Sequence, residues 1–590
     1  MSFDDPYLCY DNPLVRHFDL KKVLTSTVAD DYMPVVTASF ALENKLFGLD
    51  PFYFHLDNLL LHLANVILVF VLLRMLTHGG LVIPGVTALL FGLHPLHVES
   101  VMWVSQRKDM LSTLFSLLSL LFYLLSVQKN GRSWWVYGLS LLCFLLALGS
   151  KFMAVSLPAV TLLLAWYQGE EKKKTALKLL PYVALMIGFA MIHIGLHKPS
   201  GANATAGFDL LAALGRGVDS LAFYLTKTIL PFKLGVFYER NVVTLSWFEY
   251  AMLGTWTAAL VLMFKYISSQ RKLMAVSLLI FLGTLFPVLQ IVPFGNNFAF
   301  ADRFMYFPSI GLFAVFGILV SEAMKLKYKF VRAVCGGLLA GLCLSFSYLS
   351  FAQALTWKSS ETLWQNVLNN YPKSSVAHNN LGLELVAQDR TQEAQTILTK
   401  AVELNPKYAE PRVNLAVLYM QANALEAAKT EIAKALELNP SHSGAYYNLG
   451  VIAEKENRSD LAVQSYQKVM ELDTTNVAAP VNMAAALYRL GKKDEAVGVL
   501  KHVLEIDPGM PEALNNLGAI YLEMGLLAEA TEALQRAIKA DPYYEEPRKS
   551  LAVVFARQGR MDLAAQELQQ AIEISKQSKP KNRRRWAPSN

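Results

Sequence analysis

Three clusters in this 590-residue chain carry side chains able to do chemistry. The first is Asp4-Asp5, within Phe3-Asp4-Asp5-Pro6-Tyr7 and followed by Asp11-Asn12-Pro13. Adjacent carboxylates ahead of a membrane span can supply a general base or hold a cation; the same pair can also cap a helix or shape a turn. The second cluster runs from His94-Pro95-Leu96-His97-Val98-Glu99-Ser100 to Trp103 and Arg107-Lys108-Asp109. Two histidines and a glutamate are potential metal ligands, although the proline and the spacing do not match the His-Glu-x-x-His helix. Arg107 and Lys108 are suited instead to the phosphate of a lipid carrier, since a guanidinium pairs bidentately with phosphate oxygens. The third is Ala301-Asp302-Arg303, then Tyr306-Phe307-Pro308. An arginine there can serve the same phosphate, or anchor a helix at the membrane surface. Lys151, in Gly149-Ser150-Lys151, is a further cation at a short turn.

Cations and carboxylates gathered at one membrane face suit one reaction class. A lipid-phosphate-sugar brings an anionic leaving group that Arg or Lys stabilises, and a carboxylate can deprotonate an acceptor hydroxyl. The sequence has no Gly-rich phosphate loop or nucleotide fingerprint, which argues against an ATP-driven enzyme or a sugar-nucleotide transferase.

These clusters must be placed by an apolar framework. Hydrophobic residues make up 54% of the chain and charged residues 17%, a membrane-protein balance. The apolar excess lies before about Ala354. A bilayer-spanning helix needs about 20 apolar residues. The candidate spans are Leu56–Leu76, Leu81–Leu93, Met110–Val127, Trp134–Leu148, Phe152–Tyr167, Leu179–Leu196, Phe248–Ile267, Leu273–Pro293, Phe304–Val320 and Val331–Phe351. The second is short, as a re-entrant or tilted helix would be. Lys129–Arg132, Lys172–Lys174, Arg271–Lys272 and Lys325–Lys329 are the basic loops. The positive-inside rule puts all four on the cytoplasmic side if Asp209–Pro231 is an interfacial helix. Gly215, Arg216, Asp219 and Lys227 along that segment make it a costly span. Both termini and the three clusters then share the outer side. An even number of spans with an outer amino terminus is awkward to insert, which predicts a further helix upstream of Met1. The net charge of +7 sits between apolar spans and calls for no nucleic acid. Three of the four cysteines (Cys9, Cys143, Cys335, Cys343) lie in apolar stretches and read as filler, not as a disulfide framework.

The remainder repeats every 34 residues. Ala394, Ala428, Ala462, Ala496, Ala530 and Ala564 keep that spacing, as do Pro372, Pro406, Pro440, Pro508 and Pro542, with Thr474 as a lapse. Leu381-Gly382, Leu449-Gly450 and Leu517-Gly518 mark close helix packing, alternating with Leu415-Ala416, Met483-Ala484 and Leu551-Ala552. This is the tetratricopeptide (TPR) period, with six hairpins from about Ser374 to about Lys576. Stacking buries a continuous core that one hairpin could not. Asn380, Asn414, Asn448, Asn482 and Asn516, with Ser550 last, form one row on the first helices. Their amides, each donor and acceptor, are candidates to hold an extended peptide backbone. Asparagine is equally a consensus structural residue at this position. The basic tail Lys579–Arg585 is expected to be disordered.

The expected fold is therefore all-α: an outer segment (1–55), a polytopic helical domain of about ten spans (56–355), a TPR α-solenoid (374–577) and a basic tail (578–590). Asp4-Asp5, the His94–Asp109 motif, the Ala301–Gly311 motif and the TPR array together resemble the transmembrane-and-TPR family of GT-C glycosyltransferases. That group includes bacterial TPR-containing relatives of the protein O-mannosyltransferases. The resemblance covers nearly the whole chain, and the order of motifs carries more weight than any one of them. It implies a sugar donor, mannose by kinship, linked to polyprenyl or dolichyl phosphate, and transfer on the extracytoplasmic face to a protein or peptide acceptor. It also implies that Asp4 or Asp5 is the catalytic base, and it places Arg107 and Arg303 at the carrier phosphate. Lys108 and Lys151 are their expected companions. His94, His97, Glu99, Asp109, Asp302 and Tyr306 are expected to support the site, with the metal requirement open. The chain departs from the pattern in starting at the acidic pair, without the membrane helix that precedes it in the family. Two other readings remain: a non-catalytic membrane-anchored TPR scaffold for envelope or secretion assembly, and a transporter of a lipid-linked sugar. Nearly uncharged span interiors disfavour transport.

Overall fold

Long apolar runs become helices here because a backbone surrounded by acyl chains must satisfy its own hydrogen bonds. Helix Pro51–Leu76 shows how such an element is set. Asp50 caps it by accepting from the Phe52 amide at 2.9 Å, and Pro51 occupies the first turn, where no donor is needed. Its 26 residues extend roughly 39 Å at 1.5 Å per residue, enough to cross a bilayer.

The computed structural model describes residues 8–9, 12–16, 18–28, 31–128, 134–196, 209–239, 242–243, 245–266, 270–291, 298–473 and 476–577. The chain forms two compact units, Met1–Ser374 and Ser375–Asn590.

In the first unit all ten apolar segments contain helix. Among the described residues, six helices are long and apolar enough to cross a membrane: Pro51–Leu76, Val104–Val127, Lys172–Leu196, Trp247–Lys265, Arg271–Val288 and Lys329–Thr356. Val82–Leu93 is bent by 53° from Pro95–Met102, as in a broken span or re-entrant loop, and Trp134–Ser150 and Phe152–Gln168 are shorter apolar helices. Helix Leu210–Ile229 is not in this set. It leaves Leu210, Leu211, Leu214 and Val218 exposed, while Arg216 donates to the Gln290 and Ile291 carbonyls at 2.8 and 3.0 Å. Large apolar side chains such as Phe330, Leu338, Leu344 and Phe351 stay exposed along Lys329–Thr356. The chain is a multi-pass membrane protein, and this exposed apolar surface suits contact with acyl chains.

Two glycines fix helix Ser309–Lys325 in the bundle. A Cβ on Gly311 would collide with the Ser277 carbonyl of helix Arg271–Leu285. One on Gly317 would sit 2.8 Å from the Ile83 carbonyl of Val82–Leu93. Just before this helix lies a short turn, Asp302–Met305, that hangs from strand β2 (Phe298–Phe300). Strand β2 pairs antiparallel with β1 (Tyr238–Glu239), Tyr238 opposite Phe300.

In the second unit the helices pair as six antiparallel hairpins from Ser375–Ala387 to Met561–Gln577. The alanines spaced at 34 residues are buried, and they let the two helices of each hairpin close. The glycines do the same from the other side. A Cβ on Gly382, Gly450 or Gly518 would come within 2.6 Å of Leu398, Tyr466 or Leu534. Each of the six hairpins turns through one left-handed residue, Asp389, Asn423, Asn457, Gly491, Gly525 and Gly559 in order. That conformation is open to glycine and tolerated by Asp and Asn. Basic side chains one repeat on close some helix ends: Lys455 donates to the Met420 carbonyl and Arg557 to that of Leu522, both at 3.0 Å.

Candidate functional site

Helix Arg107–Gln128 carries Asp109, Ser112, Thr113 and Ser116, a polar stripe at helical spacing on a largely apolar helix. This stripe forms one wall of a cleft of about 470 Å³, counting the part open to solvent. Lys151, Ala154 and Ser156 line it from the turn between two apolar helices, and Thr284 lines it from Arg271–Leu285. Arg303, Phe304, Tyr306 and Phe307 close it from the turn beneath β2.

Two cations face this space, each held by a carboxylate far off in sequence. Lys151 pairs with Asp109 Oδ1. Burial pushes the Lys151 ammonium below its ordinary value, and Asp109 partly restores it. Asp109 Oδ2 is buried and has no hydrogen-bond partner in the structure. Arg303 donates its guanidinium to Glu99 Oε1 at 2.5 Å and its backbone amide to Glu99 Oε2 at 2.9 Å. The guanidinium also lies over the Trp103 and Phe304 rings, 5.3 and 5.2 Å from their centroids. Asp302 turns the opposite way. It is buried, and Tyr238 donates its hydroxyl to Asp302 Oδ1 at 2.7 Å. Desolvation, with Glu99 nearby, holds the Asp302 carboxyl well above the usual carboxylate range.

Tyr306 belongs to a third layer. Its hydroxyl donates to His62 Nδ1 at 2.8 Å and accepts from Asn65 Nδ2 at 3.3 Å, while His62 Nε2 donates to the Gly92 carbonyl. Asn58, His62 and Asn65 fall on one face of helix Pro51–Leu76, and all are buried. The sequence reading missed this polar stripe. Its spacing of four and then three residues in an apolar helix is the signal that could have found it.

His94 and His97 are structural. His94 Nδ1 accepts from the Leu96 amide and Nε2 donates to the Thr228 carbonyl at 2.8 Å. His97 Nδ1 donates to the Phe91 carbonyl at 2.7 Å, and Nε2 lies 3.0 Å from Ser309 Oγ. Among the described residues no three His, Cys, Asp or Glu side chains gather as a metal site.

The expectation that Arg107 meets the carrier phosphate is replaced. Its guanidinium is 1% exposed and already engaged. It pairs with Glu43, donates through Nε to Asn58 Oδ1 at 3.1 Å, and donates to the Phe54 carbonyl at 3.1 Å. Phe40 stacks below it, 4.4 Å from ring centroid to Cζ. Arg107 thus binds the amino-terminal segment to the bundle. Lys108 points to Asp31 at 3.5 Å and not into the cleft. Asp4 and Asp5 lie outside the described residues.

Within the second unit the asparagine row works partly between repeats. Asn414 Nδ2 donates to Asn379 Oδ1 at 2.8 Å, and Asn482 Nδ2 donates to the Tyr447 hydroxyl at 2.9 Å. Asn414 and Asn448 are buried; Asn380, Asn482 and Asn516 are half-exposed.

Family models match the repeats: "Tetratricopeptide repeat" over residues 385–451 and "Psidin, N-terminal TPR repeats region" over 451–587. Curated relatives reach into the membrane half. Protein O-mannosyl-transferase F38B6.6 of Caenorhabditis elegans is 23% identical over 69% of this chain and 60% of its own length. Protein O-mannosyl-transferase TMTC1 of Homo sapiens is 24% identical over 69% of this chain and 53% of its own length. These relatives of the chain are both named protein O-mannosyl-transferases. TMTC4 of Mus musculus also matches, at 25% identity over 51% of this chain and 46% of its own length. The chain thus spans about half the length of these relatives. Among solved structures the repeats resemble YrrB, a TPR protein, at 26% identity over 31% of this chain and 93% of that one, with a TM-score of 0.26.

Proposed function

We propose that this protein transfers a sugar, mannose by its kinship, from a polyprenyl-phosphate carrier to a hydroxyl of a protein on the extracytoplasmic face. Lys151 and Arg303 hold the carrier phosphate. The glycosidic C1–O bond to that phosphate breaks, and the phosphate leaves as an anion that the two cations stabilise. The acceptor oxygen bonds to C1, and its proton passes to a carboxylate. By family resemblance that carboxylate is Asp4 or Asp5. Asp109 Oδ2 and the hydroxyls of Ser112, Thr113 and Ser116 face the sugar and fix its orientation. The repeats bind protein, in keeping with TPR arrays generally, and present the acceptor chain to this face. The loop charges support an outer position for the cleft and for the repeats.

One observation carries this reading: two cations, Lys151 and Arg303, line one hydroxyl-walled cleft inside an apolar helix bundle. A phosphate is the anion such a site fits, and its membrane setting points to a lipid-borne one. The test is the O-glycoproteome of cells lacking the protein. Loss of hexose from defined serine or threonine sites, restored by the wild-type chain but not by Arg303→Met, supports transfer. An unchanged glycoproteome with altered co-purification of envelope proteins supports a scaffold instead.

A further inference from the structure

The turn carrying Arg303 is tied to a distant part of the first unit through β1. On one side of β1, Tyr238 is wholly buried and donates to Asp302, the neighbour of Arg303. Its hydroxyl also accepts from the Gly235 amide at 3.1 Å. Tyr238 packs edge-on against Phe223 and Tyr371, with centroids 4.9 and 5.6 Å away. On the other side, the segment after the last apolar helix reaches back to the same stretch. Asn366 Nδ2 donates to the Leu234 carbonyl at 3.0 Å, and Asn370 Nδ2 to the same oxygen at 3.3 Å. Tyr371 donates to the Lys233 carbonyl at 3.0 Å, and Ser374 donates to Glu239 Oε2 at 2.8 Å. Four side chains from one helix and the turn after it thus hold Lys233, Leu234 and Glu239, both ends of an otherwise irregular loop. That loop has almost no secondary structure of its own to hold it.

We propose that Tyr238, Glu239, Asn366 and Ser374 are positioning residues for Arg303. Through β1 they brace the donor-phosphate arginine against helix Ser360–Asn370 and the chain that leads into the repeats. This rests on the reading of the cleft as a phosphate site. An irregular loop braced at one end only would leave the Asp302–Met305 turn free to shift, and a displacement of about 1 Å at a reacting centre is costly. Ser374 is the last residue of the first unit, so the clamp sits where the chain passes covalently to the first repeat helix at Ser375.

Two readouts test this in the full chain reconstituted in nanodiscs, using Tyr238→Phe, the distal pair Asn366→Ala/Ser374→Ala, and Ser374→Thr. The first is amide hydrogen exchange over residues 301–305, which needs no enzymatic activity. The second is kcat and KM for polyprenyl-phosphate-mannose. The proposal expects exchange to rise in Tyr238→Phe and also in the distal pair, by about three- to tenfold, the scale of one lost hydrogen bond. kcat/KM should fall by a similar factor, with the loss in kcat because Arg303 stabilises the departing phosphate, and Ser374→Thr should keep wild-type values. If the distal pair leaves exchange at 301–305 unchanged, the clamp does not reach the arginine and the proposal falls. Faster exchange with unchanged kcat/KM also overturns the positioning role. Faster exchange in a protein whose wild type transfers no sugar would leave the brace standing and sink the functional reading instead.

Discussion

Arg303 is held twice by Glu99: its backbone amide donates to one carboxylate oxygen and its guanidinium to the other. The two residues are 204 positions apart, yet Glu99 is 4% and Arg303 18% exposed at the side chain. The carboxylate sets both the chain direction of the Asp302–Met305 turn and the direction of the guanidinium. The Trp103 and Phe304 rings lie 5.3 and 5.2 Å from the guanidinium, and Arg303 lines the cleft.

Removing that carboxylate should cost stability and function separately. Breaking a buried pair from one side costs about 3–5 kcal/mol, because the remaining charge is stranded. Glu99→Gln should therefore lower the thermal midpoint in detergent, and Glu99→Gln/Arg303→Met should recover much of the loss. Transfer should be lost in the double variant, since Arg303 is the phosphate ligand. Additive destabilisation in the double variant would show that the two side chains do not act as a pair.

Lys151 sets an alkaline limit. Its ammonium titrates below the ordinary lysine value because it is buried, and Asp109 opposes that shift. The charged form binds phosphate, so activity should fall as pH rises through the Lys151 value. Asp109→Asn removes the opposing charge and lowers that value further. The descending limb of kcat/KM should move to lower pH in Asp109→Asn. A limb that stays in place or moves up would detach Lys151 from the phosphate.

Asp302 gives a stability profile of known sign. Its folded value is raised by burial and by Glu99. Its contribution is fully present below the unfolded value, about 3.9, and is lost as pH climbs through the higher folded value. Asp302→Asn, which imitates the protonated form, should therefore lose less stability than wild type as pH rises above about 4. Thermal midpoints across that range read the difference; parallel curves would contradict it.

The repeats offer a matched pair of glycines. A Cβ on Gly450 would lie 2.5 Å from the Tyr466 ring, whereas one on Gly498 meets nothing within 4 Å. Gly450→Ala should destabilise by about 1–3 kcal/mol through overpacking. Gly498→Ala, inside helix Lys493–Ile506, should stabilise by about 0.5–1 kcal/mol through propensity. Denaturant midpoints of the repeat transition distinguish them.

The solenoid was legible because its packing is local and periodic. Ala428 and Gly450 each meet a partner within their own hairpin, so spacing alone exposes them. The cleft was legible only in part. Arg303, Lys151 and Asp109 were singled out as charges that an apolar chain must use, but sequence spacing does not say which way a charge faces. Arg107 shows the limit: it sits beside Lys108 and Asp109 in sequence, and one helical step turns it to Glu43 instead of the cleft. Residues such as Tyr238 and Glu239 give no sequence signal, because their role comes from tertiary contacts 64 and 135 positions away. The polar stripes Asn58–His62–Asn65 and Asp109–Ser112–Thr113–Ser116 were readable and needed only the helical period to be applied inside the apolar segments.

The most direct measurement is sugar transfer by the purified chain in nanodiscs, with polyprenyl-phosphate-[³H]mannose as donor and a serine- and threonine-rich peptide as acceptor. Wild type should label the peptide, and Lys151→Met and Arg303→Met should each lower kcat/KM by about 10²–10³-fold, as when one charge-stabilising group is removed. Labelling by both variants at the wild-type rate would contradict the assignment of this cleft to the carrier phosphate.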